Sequence, residues 1–189
     1  MSTASLEAAD LQALVDTLES SSRIQRQKAA EELNKIAHDD INSLVPYVKN
    51  FINALDIPEA KTRWQCIEVL EQMLATDGKG LDKALPGVEN SLYEEDFGII
   101  RLASFRFLCA YGLLSKAHSE KVCPYISEAV QFCHGDPEFN DMLIALQRFA
   151  QGKISPTVKE ELKERMRFDA ESNKGVIAKR ATKIIEILS

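Results

Sequence analysis

An all-α fold is predicted by three features of this 189-residue chain. Gly (8) and Pro (6) are sparse, while Ala, Leu, Ile, Glu and Lys, all compatible with helix, are abundant. Apolar residues recur at i, i+3, i+4 and i+7, as in Ala29, Ala30, Leu33, Ile36 and Ala37, which is the spacing of one helix face and not of a strand. Finally, two landmark series repeat at about 38 residues, the scale of stacked helical units. Prolines stand at Pro46, Pro86 and Pro124, and the runs "RQKAAEELNKIA", "RWQCIEVLEQML" and "RLASFRFLCAYG" begin at Arg26, Arg63 and Arg101.

The elements follow in order. The opening "SLEAADLQALVDTLESS" carries the stripe Leu6, Leu11, Leu14, Val15 and Leu18 on an otherwise polar helix, as a cap over one end of an array requires. Each unit then reads as helix A, a turn and helix B. The turns are "HDD" (38–40), "TDGKG" (76–80) and "SKAHS" (115–119), rich in residues that break helices. Helix B carries the proline, and in the first unit Leu44, Val45, Val48, Phe51, Ile52 and Leu55 form its stripe. An interior proline removes a hydrogen bond, so a repeated kink early in each helix B is predicted. "DIPE", "EEDFG" and "GDPE" separate the units. A fourth helix A, "FNDMLIALQRFA", lacks the arginine, and "VIAKRATKIIEIL" begins a partial fifth unit.

Units of this kind, with "PE…R" running into helix A (Pro58, Glu59, Arg63) and a proline early in helix B, resemble the HEAT repeat, a family of stacked helical hairpins. The resemblance covers roughly residues 20–189 and implies a right-handed α-α superhelix of four to five HEAT-like hairpins. It implies one domain over residues 1–189: a cap at 1–20, repeats at 21–57, 58–96, 97–135 and 136–172, and a partial repeat at 173–189. It also implies a ladder in which a turn acid meets the helix-A arginine, with Asp56–Arg63 and Asp96–Arg101 as candidate pairs.

Composition narrows the function. The formal charge is −6, and residues 1–60 hold five Lys and Arg against ten Asp and Glu. An acidic front half repels phosphate backbones, so nucleic acid is a disfavoured partner. The most apolar stretch, "GIIRLASFRFLCAYGLL", carries Arg101 and Arg106, which a bilayer-spanning helix would not tolerate together. The N-terminus shows no basic n-region or apolar h-region, so a cytoplasmic protein is expected. Cys66, Cys109, Cys123 and Cys133 lack CxxC spacing and read as reduced, packed thiols.

No catalytic signature is present: there is no GxSxG, HExxH or phosphate-cradling glycine loop. "C-x13-C-x9-CH" (Cys109, Cys123, Cys133, His134) matches no ordinary zinc spacing, so neither a metal nor a cofactor is expected. His38, His118 and His134 read as residues of helix C-termini or turns, where an imidazolium meets a favourable dipole. Paired glutamates such as Glu31–Glu32, Glu94–Glu95 and Glu160–Glu161 read as solvated faces, and Trp64 as a packed residue.

In HEAT-like stacks the B helices line the concave face. The resemblance therefore implies a non-enzymatic scaffold or adaptor that binds a protein or peptide there, through Tyr47, Lys49, Asn50, Asn53, Glu89, Asn90, Tyr93, Ser127, Glu128 and Gln131. The C-terminal run Ile184, Ile185, Ile187 and Leu188 offers a surface for self-association. HEAT-like folds also include glycosylases for alkylated DNA bases and bilin lyases. The first needs a basic, aromatic concave face with an aspartate pointing into it, and a single Trp and an acidic N-terminal half argue against it. The second has no discriminating residue in this sequence.

Overall fold

The computed structural model describes residues 8–76, 78–172 and 174–189. Leu6 and Asp77, placed by sequence in the cap and the second turn, lie outside them. Among the described residues there are ten α-helices and no strand. They divide into two compact units, Met1–Gly87 and Val88–Ser189, each described by itself.

In the first unit, α1 (Ala8–Asp16) packs against α2 (Arg23–Asp40) and buries Leu11 and Val15. Ser22 caps α2, its hydroxyl accepting from the Gln25 N–H. The core joins Ala30, Leu33 and Ala37 of α2 to Phe51 of α3 (Val48–Asn53) and to Ile67 and Leu70 of α4 (Ala60–Met73). Between α2 and α4 runs a buried polar seam. Asn34 Nδ2 donates to Gln65 Oε1 at 2.6 Å and to Glu68 Oε2 at 2.8 Å, and a satisfied amide of this kind fixes how two helices align.

The boundary between the units falls in α5 (Leu85–Leu92). At the centre of the second unit lies α6 (Gly98–Gly112), buried on nearly every side through Ile100, Phe105, Phe107 and Leu108. α7 (Lys116–Phe132) and α8 (Phe139–Ala150) pack against α6, α9 (Pro156–Ser172) against α7, and α10 (Gly175–Leu188) against α8 and α9. A Cβ on Gly112 would meet Phe149 at 2.6 Å and Val122 at 2.8 Å, so this glycine permits the close approach of three helices. α10 turns Ala181, Ile184 and Leu188 inward and exposes Lys179 and Lys183. Ile185 and Ile187 remain half-buried.

Three expectations need correction. The repeat prolines do not share one helical position. Pro46 sits in a 3-10 turn (Val45–Tyr47) before α3, Pro86 is the second residue of α5, and Pro124 lies inside α7. The third helix B starts earlier because Ser115 caps it, its hydroxyl accepting from the His118 N–H at 3.2 Å. In the first two units the residues ahead of the proline form 3-10 turns (Ile41–Ser43, Leu81–Ala84), so the missing proline N–H interrupts no α-helical ladder.

Second, the ion pairs of Arg26 and Arg101 reach forward to the next helix A and not back. Arg26 Nη2 pairs with Glu59 Oε1, and Arg101 is held by Glu138 and Asp136. Glu59 and Glu138 are the N-cap residues of the following helix A, where a carboxylate also meets the positive end of a helix dipole. The proposed Asp96–Arg101 pair is therefore replaced by Arg101–Glu138, and Asp56 and Asp96 are exposed.

Third, His118, expected in the turn 115–119, lies in the first turn of α7. Its Nδ1 is 2.6 Å from Ser115 Oγ, and its ring stands edge-on to Tyr111 at 4.7 Å. His38 lies in the last turn of α2 as expected.

Candidate functional site

The exposed faces of α5, α7 and α9 in the second unit form one connected ridge. On α7, Tyr125, Glu128, Gln131 and Phe132 are spaced three to four residues apart and so share a side of the helix. Tyr93, one residue beyond α5, donates its hydroxyl to Glu128 Oε2 at 2.8 Å and meets the Phe132 ring edge-on at 5.7 Å. Tyr125 lies against Glu89, whose charge raises its phenol above the ordinary range. Burial and the Glu128 carboxylate raise Tyr93 in the same sense. Each tyrosine thus keeps its proton and orients a glutamate.

The ridge changes sign toward α9. Arg165 Nε donates to Ser127 Oγ at 3.0 Å, and its Nη1 donates to Gln131 Oε1 at 2.9 Å. Beside it, Phe168 is 61% exposed and stands edge-on to the His134 ring at 5.6 Å. His134 Nε2 is 2.8 Å from Oδ1 of Asp169, which is 2% exposed. These groups line a pocket of about 360 Å³ between α7 and α9.

Of the ten residues expected to bind a partner, Tyr47, Lys49, Asn50 and Asn53 lie in the first unit, on α3 and the turn before it. Glu89, Asn90, Tyr93, Ser127, Glu128 and Gln131 lie in the second. There the structure links Tyr93 to Glu128 and brings Ser127 and Gln131 together through Arg165. Ser127 itself is buried, so it acts by holding Arg165 and does not face solvent. Asn90 is exposed and Glu89 half-buried.

Sequence reading missed Phe132, Arg165, Phe168 and the His134–Asp169 pair. A signal for α9 was present. Its buried stripe runs Val158, Leu162, Met166, and the next inward position holds Asp169 while the apolar Phe168 points out. An acid inside and an aromatic outside invert the pattern that packing alone would select.

Cys109, Cys123, Cys133 and His134 do not converge as one ligand set among the described residues. Among the described residues, the set of three potential ligand atoms that lie together comes from Cys133, Asp136 and Glu138, while His134 faces Asp169. Arg101 already supplies a cation to that set: its Nε is 2.7 Å from Glu138 Oε1 and its Nη2 is 3.1 Å from Asp136 Oδ2. Burial pushes the Cys133 thiol up to about 11, although Arg101 pulls it down. A protonated thiol beside a guanidinium is a poor metal ligand. All four cysteines are buried thiols outside any disulfide, as expected.

No helix of the described residues is long and apolar enough to cross a membrane. No protein-family model and no curated protein matches the chain. Solved structures do. A computationally designed armadillo repeat protein for modular peptide recognition superposes with a TM-score of 0.75 at 16% identity, over 96% of this chain and 83% of that one. A designed armadillo repeat protein in complex with a (KR)4 peptide gives 0.77 at 14% identity, over 96% and 82%. An engineered protein gives 0.73 at 14%, over 96% and 84%. The chain has the all-α helical-repeat fold of the HEAT and armadillo type.

Proposed function

We propose that this protein is a non-enzymatic scaffold that holds an extended segment of another protein along its B-helix ridge. The observation that carries the reading is the ridge of the second unit: aromatic rings alternating with oriented charges, half-buried Tyr93 and exposed Phe132 beside Glu128, then Arg165 beside exposed Phe168. Exposed aromatics flanked by fixed polar groups are the usual makings of a protein-binding surface. Recognition of peptides by designed relatives of the same fold supports the choice of a peptide partner. Tyr47, Lys49, Asn50 and Asn53 are proposed to play the same part in the first unit. Glutamates at 89 and 128 argue against a duplex or single-stranded nucleic acid on this face.

Selection from a random peptide library tests the reading. Selected peptides should bind wild type and lose about tenfold or more to Glu128→Lys, a change worth at least ~1.4 kcal/mol, with an unaltered melting temperature. Selected peptides indifferent to Glu128→Lys and to Phe132→Ala would place binding elsewhere.

A further inference from the structure

We propose that the pocket between α7 and α9 is a carboxylate subsite, which takes an internal glutamate or aspartate side chain of the bound segment while an adjoining apolar residue rests on Phe168. The inference rests on the reading of the B-helix ridge as a peptide-binding face and adds a chemical class to it.

Arg165 carries the argument. A guanidinium has five N–H donors on a rigid plane. Here Nε is fixed by the Ser127 hydroxyl and Nη1 by the Gln131 amide oxygen. Both acceptors are neutral, so they orient the plane without cancelling its charge. No carboxylate of the described residues forms an ion pair with Arg165, unlike Arg101 with Glu138 and Asp136. Three N–H groups remain, one on Nη1 and two on Nη2, and guanidinium donors of this kind are what a carboxylate accepts in a forked pair.

The surroundings suit an organic acid and not a bare ion. The pocket is large enough for one long side chain at about 360 Å³. One wall is Val130 and the exposed ring of Phe168, and apolar walls of this kind strengthen a charge pair by lowering the local dielectric. Asp169 adds a carboxylate to the lining, beside His134. A carboxylate and a phosphate are both drawn to Arg165 and repelled by Asp169, and the phosphoserine probe below separates the two. The inverted pair Phe168–Asp169 is the second observation. Folding alone would have placed the ring inside and the acid outside, and the exchange builds the wall of this pocket.

The test uses four probes: acetyl-Gly-Lys-Leu-Glu-Gly-amide, its glutamine and phosphoserine counterparts at the glutamate position, and acetyl-Gly-Lys-Leu with a free C-terminus. Binding to the full chain is read by NMR from the Arg165 Nε–H signal and the Phe168 ring protons. The glutamate peptide should move both signals and bind about tenfold tighter than the glutamine peptide. Arg165→Gln should erase that difference, and Arg165→Lys should keep part of it. Equal affinity for the glutamate and glutamine peptides overturns the subsite, as does tighter binding of the phosphoserine or free-C-terminal peptide. If glutamate and glutamine bind alike yet Glu128→Lys weakens both, the ridge stands and the subsite falls. If no signal from α7 or α9 moves with any probe, both fall.

Discussion

Arg101 and Arg165 belong to the same unit and have opposite surroundings. Arg101 sits on the helix-A side, 9% exposed at its side chain, with Nε and Nη2 on Glu138, Nη2 also on Asp136, and Nη1 on the Glu94 and Glu95 carbonyl oxygens at 2.6 and 3.0 Å. Arg165 sits on the helix-B side, partly exposed, and touches only neutral acceptors. The helix-A seam spends its charges on itself, because a buried guanidinium without carboxylates would be prohibitively unstable. The helix-B ridge keeps a charge uncancelled at little cost because water reaches it. One arginine holds a repeat to the next, and the other is free for a ligand.

The sharpest way to break that comparison is to remove each arginine in turn. Arg101→Ala leaves Glu138, itself 9% exposed at its side chain, without its cation. The expected loss is about 3–5 kcal/mol, the usual result of breaking one side of a buried pair. Arg165→Ala loses two hydrogen bonds that water can largely replace, and about 1 kcal/mol or less should go. Urea unfolding of both variants decides it, and equal losses would mean that the two sides do not differ in kind.

A smaller effect sharpens the helix-A side. A Cβ on Gly98 would lie 2.5 Å from Glu138 Oε2, and that carboxylate is pinned by Arg101. Gly98→Ala should therefore cost about 1–3 kcal/mol through crowding, despite the better helix propensity of alanine. A stability equal to wild type would show that Glu138 has freedom the ladder should deny it.

The same contrast explains what could be read from the sequence. Helix identity and repeat length were visible because Leu33, Leu70 and Leu108 are buried in register, and burial imposes a period on residue type. The arginine landmarks were visible by their recurrence at the same spacing, but the partners of Arg26 and Arg101 were not. Spacing alone could not tell Asp96 from Glu138, because the choice depends on which helix end faces the guanidinium in three dimensions. The proline position also escaped: a single cap at Ser115 lengthened α7 and moved Pro124 from helix start to helix interior. On the ridge, Tyr93, Glu128 and Gln131 were found by their recurrence on helix B. Arg165 and Phe168 were not, since exposed positions carry no burial constraint and their only mark was the swapped order of Phe168 and Asp169.

The smallest effect tests whether the ridge is organised as well as exposed. Tyr93 hydrogen-bonds Glu128 in a partly open site, and its phenol is held above the ordinary range by burial first, then by the bond to Glu128 and nearby charge. A raised phenol keeps its proton in the folded chain. Its contribution is therefore fully present below the unfolded value near 10 and is lost as pH climbs beyond it. Tyr93→Phe removes that loss, and at neutral pH it should cost less than about 1 kcal/mol because solvent screens the site. Buried Cys66 and Cys123, both pushed up to about 12, destabilise the chain in an overlapping alkaline window. The comparison must therefore be wild type against Tyr93→Phe, each followed by urea unfolding from pH 7 to pH 11. A variant whose alkaline decline is shallower than wild type shows that the folded chain holds the Tyr93 phenol protonated, by burial first and the Glu128 bond second. Parallel declines would show a phenol that titrates alike in the folded and unfolded chain.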